Sequence, residues 1–245
     1  MPKNAILLAG GNGTRLLPLT QSVSKHLIPV NGKFIIDYPL HTLKQMGIEN
    51  CTVVLGGEHF SQVVDHIQDG RNHGMHINYR FQGEARGIAQ AINICQRDMS
   101  DDDQFVVILG DNIFEQDIVW ANNEGAAQII VKQVPDPNRF GVAFCDSLGC
   151  IHKIEEKPIV LPSEYVPYAI TGCYLFDHWY FDYFKNIMPS ARNEYEITEI
   201  IKQYWKDSEL IANVYEAKWG DAGTHSSIAE WNNYFYQQRI KINVK

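Results

Sequence analysis

The chain has 245 residues, of which 45% are hydrophobic and 20% charged, the composition of an ordinary globular protein long enough to bury a substantial core. Its 21 basic and 29 acidic residues give a net charge of −8, and the basic ones are scattered, which argues against nucleic acid as a main partner. No apolar run approaches membrane-spanning length, and Met1-Pro2-Lys3-Asn4-Ala5 lacks the apolar stretch and cleavage site of a signal peptide, so a cytoplasmic location without a membrane partner is expected.

The first strand is expected over 4–8, where Ala5-Ile6-Leu7-Leu8 forms the short apolar run of a buried parallel strand. Leu8-Ala9-Gly10-Gly11-Asn12-Gly13-Thr14-Arg15-Leu16 follows, with Lys25 ten residues beyond Arg15. Glycines at this density can turn sharply and aim successive N–H groups at an anion with no Cβ in the way, while Arg15 and Lys25 add positive charge. The loop reads as a phosphate cradle. A Walker-type loop would need Gly-Lys-Ser or Gly-Lys-Thr where Gly13-Thr14-Arg15 stands, and a dinucleotide fingerprint would need glycine in place of Leu16.

Helices are expected over 34–46, 59–67 and 87–97, between strands at 51–55, 76–80 and 104–109. Ile36, Leu40, Leu43 and Met46 recur at helical spacing in the first of these. The run Phe105-Val106-Val107-Ile108-Leu109 stops at Gly110-Asp111-Asn112, which places Asp111 at the carboxyl end of a strand, the edge that also carries the glycine loop. Read alone, Asp111 fits a helix cap or a turn equally well.

After Ala126 short strands are expected at 127–134, 141–145, 150–155 and 168–175, with antiparallel or mixed pairing. Glu155-Glu156-Lys157-Pro158 ends one of them and Thr171-Gly172-Cys173-Tyr174 lies in the next. Glu156 can accept hydrogen bonds from sugar hydroxyls and Lys157 can neutralise a phosphate; the alternative is a solvated charge cluster at a turn. Ser190-Ala191-Arg192 reads as an exposed helix start or as an arginine presented to phosphate. Helices at 178–186 and 196–206, a strand at 210–216 and a helix at 225–238 complete the chain. Before the last comes Trp219-Gly220-Asp221-Ala222-Gly223-Thr224-His225, in which Asp221 is a turn residue or a metal ligand and Thr224 a helix cap. Magnesium takes one or two carboxylates plus phosphate and water oxygens, so Asp111 and Asp221 suffice if folding joins them.

Five cysteines, Cys51, Cys95, Cys145, Cys150 and Cys173, form no CxxC pair and read as reduced core residues. The histidine pairs His59 with His66 and His73 with His76 lack a cysteine or carboxylate at ligand spacing, so they read as surface or packing residues rather than a zinc site. The expected assembly is α/β: a mixed, mostly parallel central sheet flanked by helices, with ligands beyond the carboxyl ends of its strands.

These segments together resemble the sugar-phosphate nucleotidyltransferases over nearly the whole chain: LAGGNGTRL at 8–16, SKHLIPV at 24–30, FQGEARGIAQA at 81–91, VILGDNIF at 107–114, DPNRFGV at 136–142, EEKP at 155–158, ITGCYLF at 170–176, PSARNEYEITEI at 189–200 and WGDAGTH at 219–225. The resemblance implies a Rossmann-like sheet with a smaller sugar-binding subregion, in one domain over 1–245 whose nucleotide-binding half spans about 1–125 and whose sugar-phosphate-binding half spans about 126–245. It implies transfer of a nucleoside monophosphate from a triphosphate to a sugar 1-phosphate with release of pyrophosphate. The implied substrates are dTTP and glucose 1-phosphate, giving dTDP-glucose, with UTP or another sugar 1-phosphate as alternatives. A non-catalytic nucleotide-sugar sensor on the same fold is the competing class.

Residue roles follow from the same resemblance. Leu8, Gly10 and Gly11 approach the nucleoside; Gly13, Thr14, Arg15 and Lys25 hold the triphosphate, with His26 beside them; Gln82 and Gly87 read the base edge. Asp111 and Asp221 hold Mg2+. Gly141, Glu156 and Gly172 contact the sugar, Asn112, Tyr174 and Trp219 line its pocket, and Lys157 and Arg192 meet its phosphate. Arg15, Lys25, Asp111 and Lys157 are the catalytic groups. His26 stands where many members have glutamine, and acts as a neutral hydrogen-bond donor or as a group titrating near its usual pKa of ~6.5. Relatives run on into helices that contribute to a regulatory nucleotide-sugar site, which is not expected here, and self-association as a dimer or tetramer is implied. A phosphate monoester has a second pKa near ~6, so the attacking oxygen is already ionised at neutral pH and no general base is needed. Positioning and charge neutralisation remain as the means of catalysis.

Overall fold

A computed structural model describes residues 2–99, 104–122 and 127–243. Four strands, β1 (Asn4–Ala9), β4 (Asn50–Leu55), β5 (His76–Phe81) and β6 (Phe105–Leu109), lie parallel in the order β6-β1-β4-β5. Between β1 and β4 come a hairpin of β2 (Pro29–Val30) and β3 (Lys33–Phe34), and then α1 (Asp37–Gln45). The hairpin turns through Asn31 and Gly32 at φ 50° and 79°, which delays the helix expected from residue 34. Helices α2 (Phe60–Ile67) and α3 (Ile88–Asn93) follow β4 and β5. The sheet is covered on both faces, and β1 shows why: Ile6 and Leu8 point into a core shared with α3, while Ala5, Leu7 and Ala9 point into one shared with α1 and α2.

The second half adds β7 (Asn112–Phe114), β8 (Ala127–Lys132), β9 (Gly141–Cys145), β10 (Ile151–Glu156) and β11 (Val166–Phe176), then α4 (Trp179–Phe184), α5 (Ile197–Lys206), β12 (Leu210–Val214), β13 (Trp219–Asp221) and α6 (His225–Asn243). Strand β11 is longer than the sequence suggests. Its Cys173–Phe176 end pairs antiparallel with β6, its Val166–Ala169 end pairs with β9, and its opposite edge takes β8, which pairs in parallel with β12. The expected mixed sheet with a parallel core is thus present.

Two further details differ from expectation. The helix expected over 87–97 stops at Asn93 and gives way to a tight Gln96–Asp98 turn. Four cysteines are buried in the core as expected, but Cys150 is exposed, because it lies at the turn between β9 and β10 rather than in a strand. No described helix is long and apolar enough to cross a membrane.

Candidate active site

The carboxyl edge of the parallel strands carries both of the acidic residues singled out above. Leu8 and Leu109 are register partners, and the Gly110 N–H continues the ladder to the Leu8 carbonyl at 2.9 Å. A Cβ on Gly110 would lie 2.8 Å from that oxygen and 3.0 Å from His26 Cδ2, so only glycine lets the chain leave β6 here. Asp111 follows at the exit. A strand, not a helix, comes next, which disposes of the capping alternative. That strand, β7, pairs with β13 so that Asn112 stands opposite Asp221, and the Ala222 N–H donates to the Asp111 carbonyl at 2.7 Å. Two short strands therefore bring the two carboxylates together. Thr224 does cap α6: its Oγ1 accepts the Ser227 N–H at 3.2 Å.

One small residue marks the point of convergence. A Cβ built on Gly223 would meet Asp221 Oδ2 at 2.9 Å, Arg15 Nη2 at 3.1 Å and Asp111 Oδ2 at 3.7 Å. Glycine leaves that space open between two carboxylates and a guanidinium. Lys25 Nζ donates to Asp111 Oδ2 at 2.8 Å, and both side chains are largely buried, 17% and 14% exposed. Burial opposes the charge on Asp111, but Lys25, His26 and the Asn112 amide outweigh it and hold the carboxyl below its usual range. Asp221 moves the other way: burial and then the Asp111 charge push it up, against the pull of Arg139 and Arg15. Hard oxygen donors around an open point suit Mg2+, which binds through one or two carboxylates and leaves its other positions to phosphate and water.

The glycine loop leaves β1 with Gly11 and Gly13 at φ 91° and 63°, conformations that favour glycine. Gly13 is also tight: a Cβ there would be 2.9 Å from Thr20 Cγ2, and the Thr20 hydroxyl donates to the Gly13 carbonyl at 2.8 Å. A single turn, Thr14–Leu16, follows. Among the described residues no acceptor takes the backbone N–H of Asn12, Gly13, Thr14 or Arg15, so these donors remain for an anion. Gln82, at the end of β5, donates to the Gly87 carbonyl at 3.4 Å and to Gln90 Oε1 at 2.6 Å, with its own Oε1 beside Gly10. Gly87 has a steric reason of its own, since a Cβ would fall 2.5 Å from the Tyr195 carbonyl.

A cavity of about 490 Å³ opens next to the acidic pair. It brings together Arg15, Asp111, Asn112, Gly141, Glu156, Lys157, Gly172, Tyr174, Trp219 and Asp221 of the expected set. Leu8, Gly10, Gly11, Gly13, Thr14, Lys25, His26, Gln82, Gly87 and Arg192 lie outside its lining. Gly11 and Lys25 instead line a small hollow with Asn12, Thr20 and Ser24. Arg192 is engaged by carboxylates, its Nη2 lying 3.1 Å from Glu156 Oε1 and 2.9 Å from Glu196 Oε1. Glu156 Oε2 accepts the Thr198 hydroxyl at 3.2 Å, so Glu156 is held from two sides. Lys157 adopts φ 45°, an uncommon angle for a residue with a side chain, and its Nζ is 3.7 Å from Glu156 Oε1. Tyr174 is buried in the cavity wall and burial raises its pKa, so the phenol stays neutral.

Asn112, which lines the cavity as expected, is also held in place from two sides. Its Oδ1 accepts from the Gly172 N–H at 3.1 Å and from Trp219 Nε1 at 2.8 Å, which turns its amide towards Asp111 Oδ1 at 3.1 Å. His26 is 1% exposed, behind Gly110 and away from the cavity, with no partner for Nε2 among the described residues. Burial first, and then Lys25, lower its pKa to about 3, so the ring is neutral near pH 7 and the titrating alternative falls. Arg139, Glu196 and Thr198 line the cavity and were not singled out from the sequence. Arg139 stands in the DPNRFGV segment, from which only Gly141 was taken, and its Nη2 lies 3.7 Å from Asp221 Oδ1. Glu196 and Thr198 sit in the NEYEITEI segment, where helix-start polarity masks them.

A switch-point cleft with a glycine loop on one strand end and an acidic pair on the next defines an α/β enzyme that handles phosphorylated nucleotides. The chain belongs to the nucleotidyl transferase family, whose model matches residues 4–238, and is a nucleotidyltransferase of the sugar-phosphate type. It is 34% identical over 240 residues to the low-salt glycan biosynthesis nucleotidyltransferase Agl11 of Haloferax volcanii, covering 96% of this chain and 66% of that protein's length. It is 37% identical over 234 residues to the glucose-1-phosphate thymidylyltransferase of Neisseria meningitidis, covering 92% of this chain and 80% of the relative. A Bacillus anthracis protein provisionally named glucose-1-phosphate thymidylyltransferase, solved with sucrose, superposes with a TM-score of 0.86 at 41% identity over 94% of each chain.

Proposed function

We propose that this enzyme transfers a thymidylyl group from dTTP to glucose 1-phosphate, giving dTDP-glucose and pyrophosphate. The observation that carries the reading is one cavity lined both by Asp111, Asp221 and Arg15, which converge on Gly223, and by Glu156 and Lys157, so that groups suited to phosphate and groups suited to sugar hydroxyls share one space. Relatives named for this activity support the choice of substrates.

The acceptor phosphate is a dianion near pH 7. One of its oxygens attacks the α-phosphorus of the donor, a new P–O bond forms, and the bond to the β-phosphate oxygen breaks in line as pyrophosphate leaves. Arg15 and the unsatisfied N–H groups of the glycine loop hold the triphosphate. Lys157 meets the acceptor phosphate, reducing repulsion between the two anions. Glu156, oriented by Arg192 and Thr198, accepts hydrogen bonds from sugar hydroxyls, and Gln82 offers its amide to the base. Asp111 and Asp221 would hold Mg2+, which when bound neutralises charge on the phosphate oxygens.

The test is a panel of dTTP, UTP and other nucleoside triphosphates against several sugar 1-phosphates with Mg2+, read as pyrophosphate release. The fastest pair is expected to be dTTP with glucose 1-phosphate, and Asp111→Asn is expected to lower kcat at least ~100-fold at saturating Mg2+. A faster UTP reaction would move the donor assignment. Nucleotide-sugar binding without pyrophosphate from any pair would make the protein a sensor.

A further inference from the structure

Three metal-ligand side chains from three separate segments meet where α1 and α2 cover the sheet. Asp37 opens α1, His66 lies in the last turn of α2, and His73 closes the Arg71–His73 turn before β5. One ligand atom from each lies within 4.8 Å of the other two. Linear spacing pairs His66 with His59 and His73 with His76, and so finds no carboxylate; packing supplies Asp37. His66 and His73, read from the sequence as surface or packing residues with no cysteine or carboxylate at ligand spacing, thus gain Asp37 through the fold.

The cluster is braced from behind. His66 Nε2 is 2.7 Å from Asp37 Oδ1, while Asp37 Oδ2 accepts the Phe34 N–H at 2.9 Å. The Phe34 ring meets His66 edge-on at 4.8 Å, and the His66 and His73 rings are 6.0 Å apart. The turn that presents His73 is flanked by Gly70 and Gly74 at φ 83° and 70°, and a Cβ on Gly70 would lie 2.6 Å from the Met75 carbonyl. Side-chain exposure of 26% at His66 and 22% at Asp37 keeps the group open to an entering ion.

We propose that Asp37, His66 and His73 bind a transition-metal dication, with Zn2+ as its representative. Two imidazole nitrogens and one carboxylate oxygen form the donor set that suits Zn2+, water completing the shell, whereas Mg2+ takes oxygen donors. The site is therefore chemically distinct from the Asp111–Asp221 pair. On binding, the ion takes the position between His66 Nε2 and Asp37 Oδ1, and the neutral ring, holding its single proton on Nδ1, turns the Nε2 lone pair to the metal. Its ligands span α1, α2 and the turn before β5, so the ion acts as a clasp across three segments.

The full chain, stripped by a chelator that is then removed, is titrated with Zn2+ and separately with Co2+, whose visible absorption reports nitrogen ligation. One equivalent is expected at this site, with Tm raised by roughly 5–10 °C at a hundredfold excess of Zn2+ over Kd. His66→Ala and His73→Ala are each expected to weaken binding at least ~10-fold, with His73→Gln as a second variant if alanine disturbs the turn and Tm in chelator as the check on folding. His76→Ala and Asp111→Asn are expected to retain the Co2+ spectrum. No saturable Co2+ absorption and no Zn2+ stabilisation in the parent would overturn the proposal. So would binding that survives both His66→Ala and His73→Ala, or binding lost in Asp111→Asn but kept in His73→Ala.

Discussion

Asp111 and Asp221 share one open point under opposite electrostatic pressures. Lys25 keeps Asp111 ionised, and that charge, added to burial, makes Asp221 the harder of the two to ionise. A cation between them competes with a proton on Asp221, so Mg2+ affinity is expected to fall as pH drops towards a value above the ordinary 3.8 of aspartate. Gly223→Ala would put a methyl group 2.9 Å from Asp221 Oδ2; the half-saturating Mg2+ concentration in the pyrophosphate assay is expected to rise at least ~10-fold, below the ~100-fold typical of losing a whole electrostatic contact. His26 gives a prediction of another kind. Its folded-state pKa of about 3 lies below the ordinary imidazole value of 6.5, so only the unfolded chain takes up this proton between those values. The contribution of neutral His26 to stability is complete above pH 6.5 and declines as pH falls towards 3. Urea unfolding of His26→Gln is expected to lose about 2 kcal/mol less than the parent between about pH 6.5 and pH 5. Identical losses in the two proteins would mean that His26 is protonated without cost.

At the scale of elements, the loop that carries Arg15 and Lys25 has no long helix of its own and rests on α6. Leu16, Ile28, Val30 and Ile35 pack with Ile113, Ala222 and Trp231 in a small third core, and the Asn31 N–H donates to Asn232 Oδ1 at 2.8 Å. Trp231 is 2% exposed, and Trp231→Ala is expected to cost about 3–5 kcal/mol in urea unfolding, with weaker triphosphate binding as the loop loses its support. A loss under about 1 kcal/mol would show that α6 does not brace the loop. The same elements show what a sequence can and cannot disclose. Leu8 through Arg15 and Phe105 through Asp111 were legible because an apolar run followed by glycine marks a strand end regardless of what surrounds it. Strands β7 and β13 are three residues each, too short to show a period, so the pairing that sets Asp221 opposite Asn112 was not. That Gly172 and Trp219 hold the Asn112 oxygen was not legible either, because both partners lie far along the chain. Arg139 escaped because its partner Asp221 lies far along the chain, and the Asp37–His66–His73 cluster for the same reason.

Across the whole molecule, β11 joins the two halves of the cavity. One end pairs with β6 beside the acidic edge and the other with β9, whose first residue is Gly141, and the pairing with β8 shifts register between Ile170 and Tyr174, the stretch that contains Gly172. The strand therefore ties the edge that carries Asp111 to the strand that carries Gly141, and in the proposed reaction it would set the spacing between donor and acceptor. The support of the glycine loop by the last helix has a temporal counterpart during synthesis. His225 Nε2 lies 2.9 Å from the Leu17 carbonyl, and Asn232 bonds to Asn31, contacts spanning 208 and 201 residues. A nascent chain emerging from the ribosome presents its glycine loop first, but Asp111 must wait for Asp221, and the Lys25 segment for α6, until residues near 232 have cleared the exit tunnel. Nucleotides in the surrounding solution thus meet a complete site only after α6 has joined the fold.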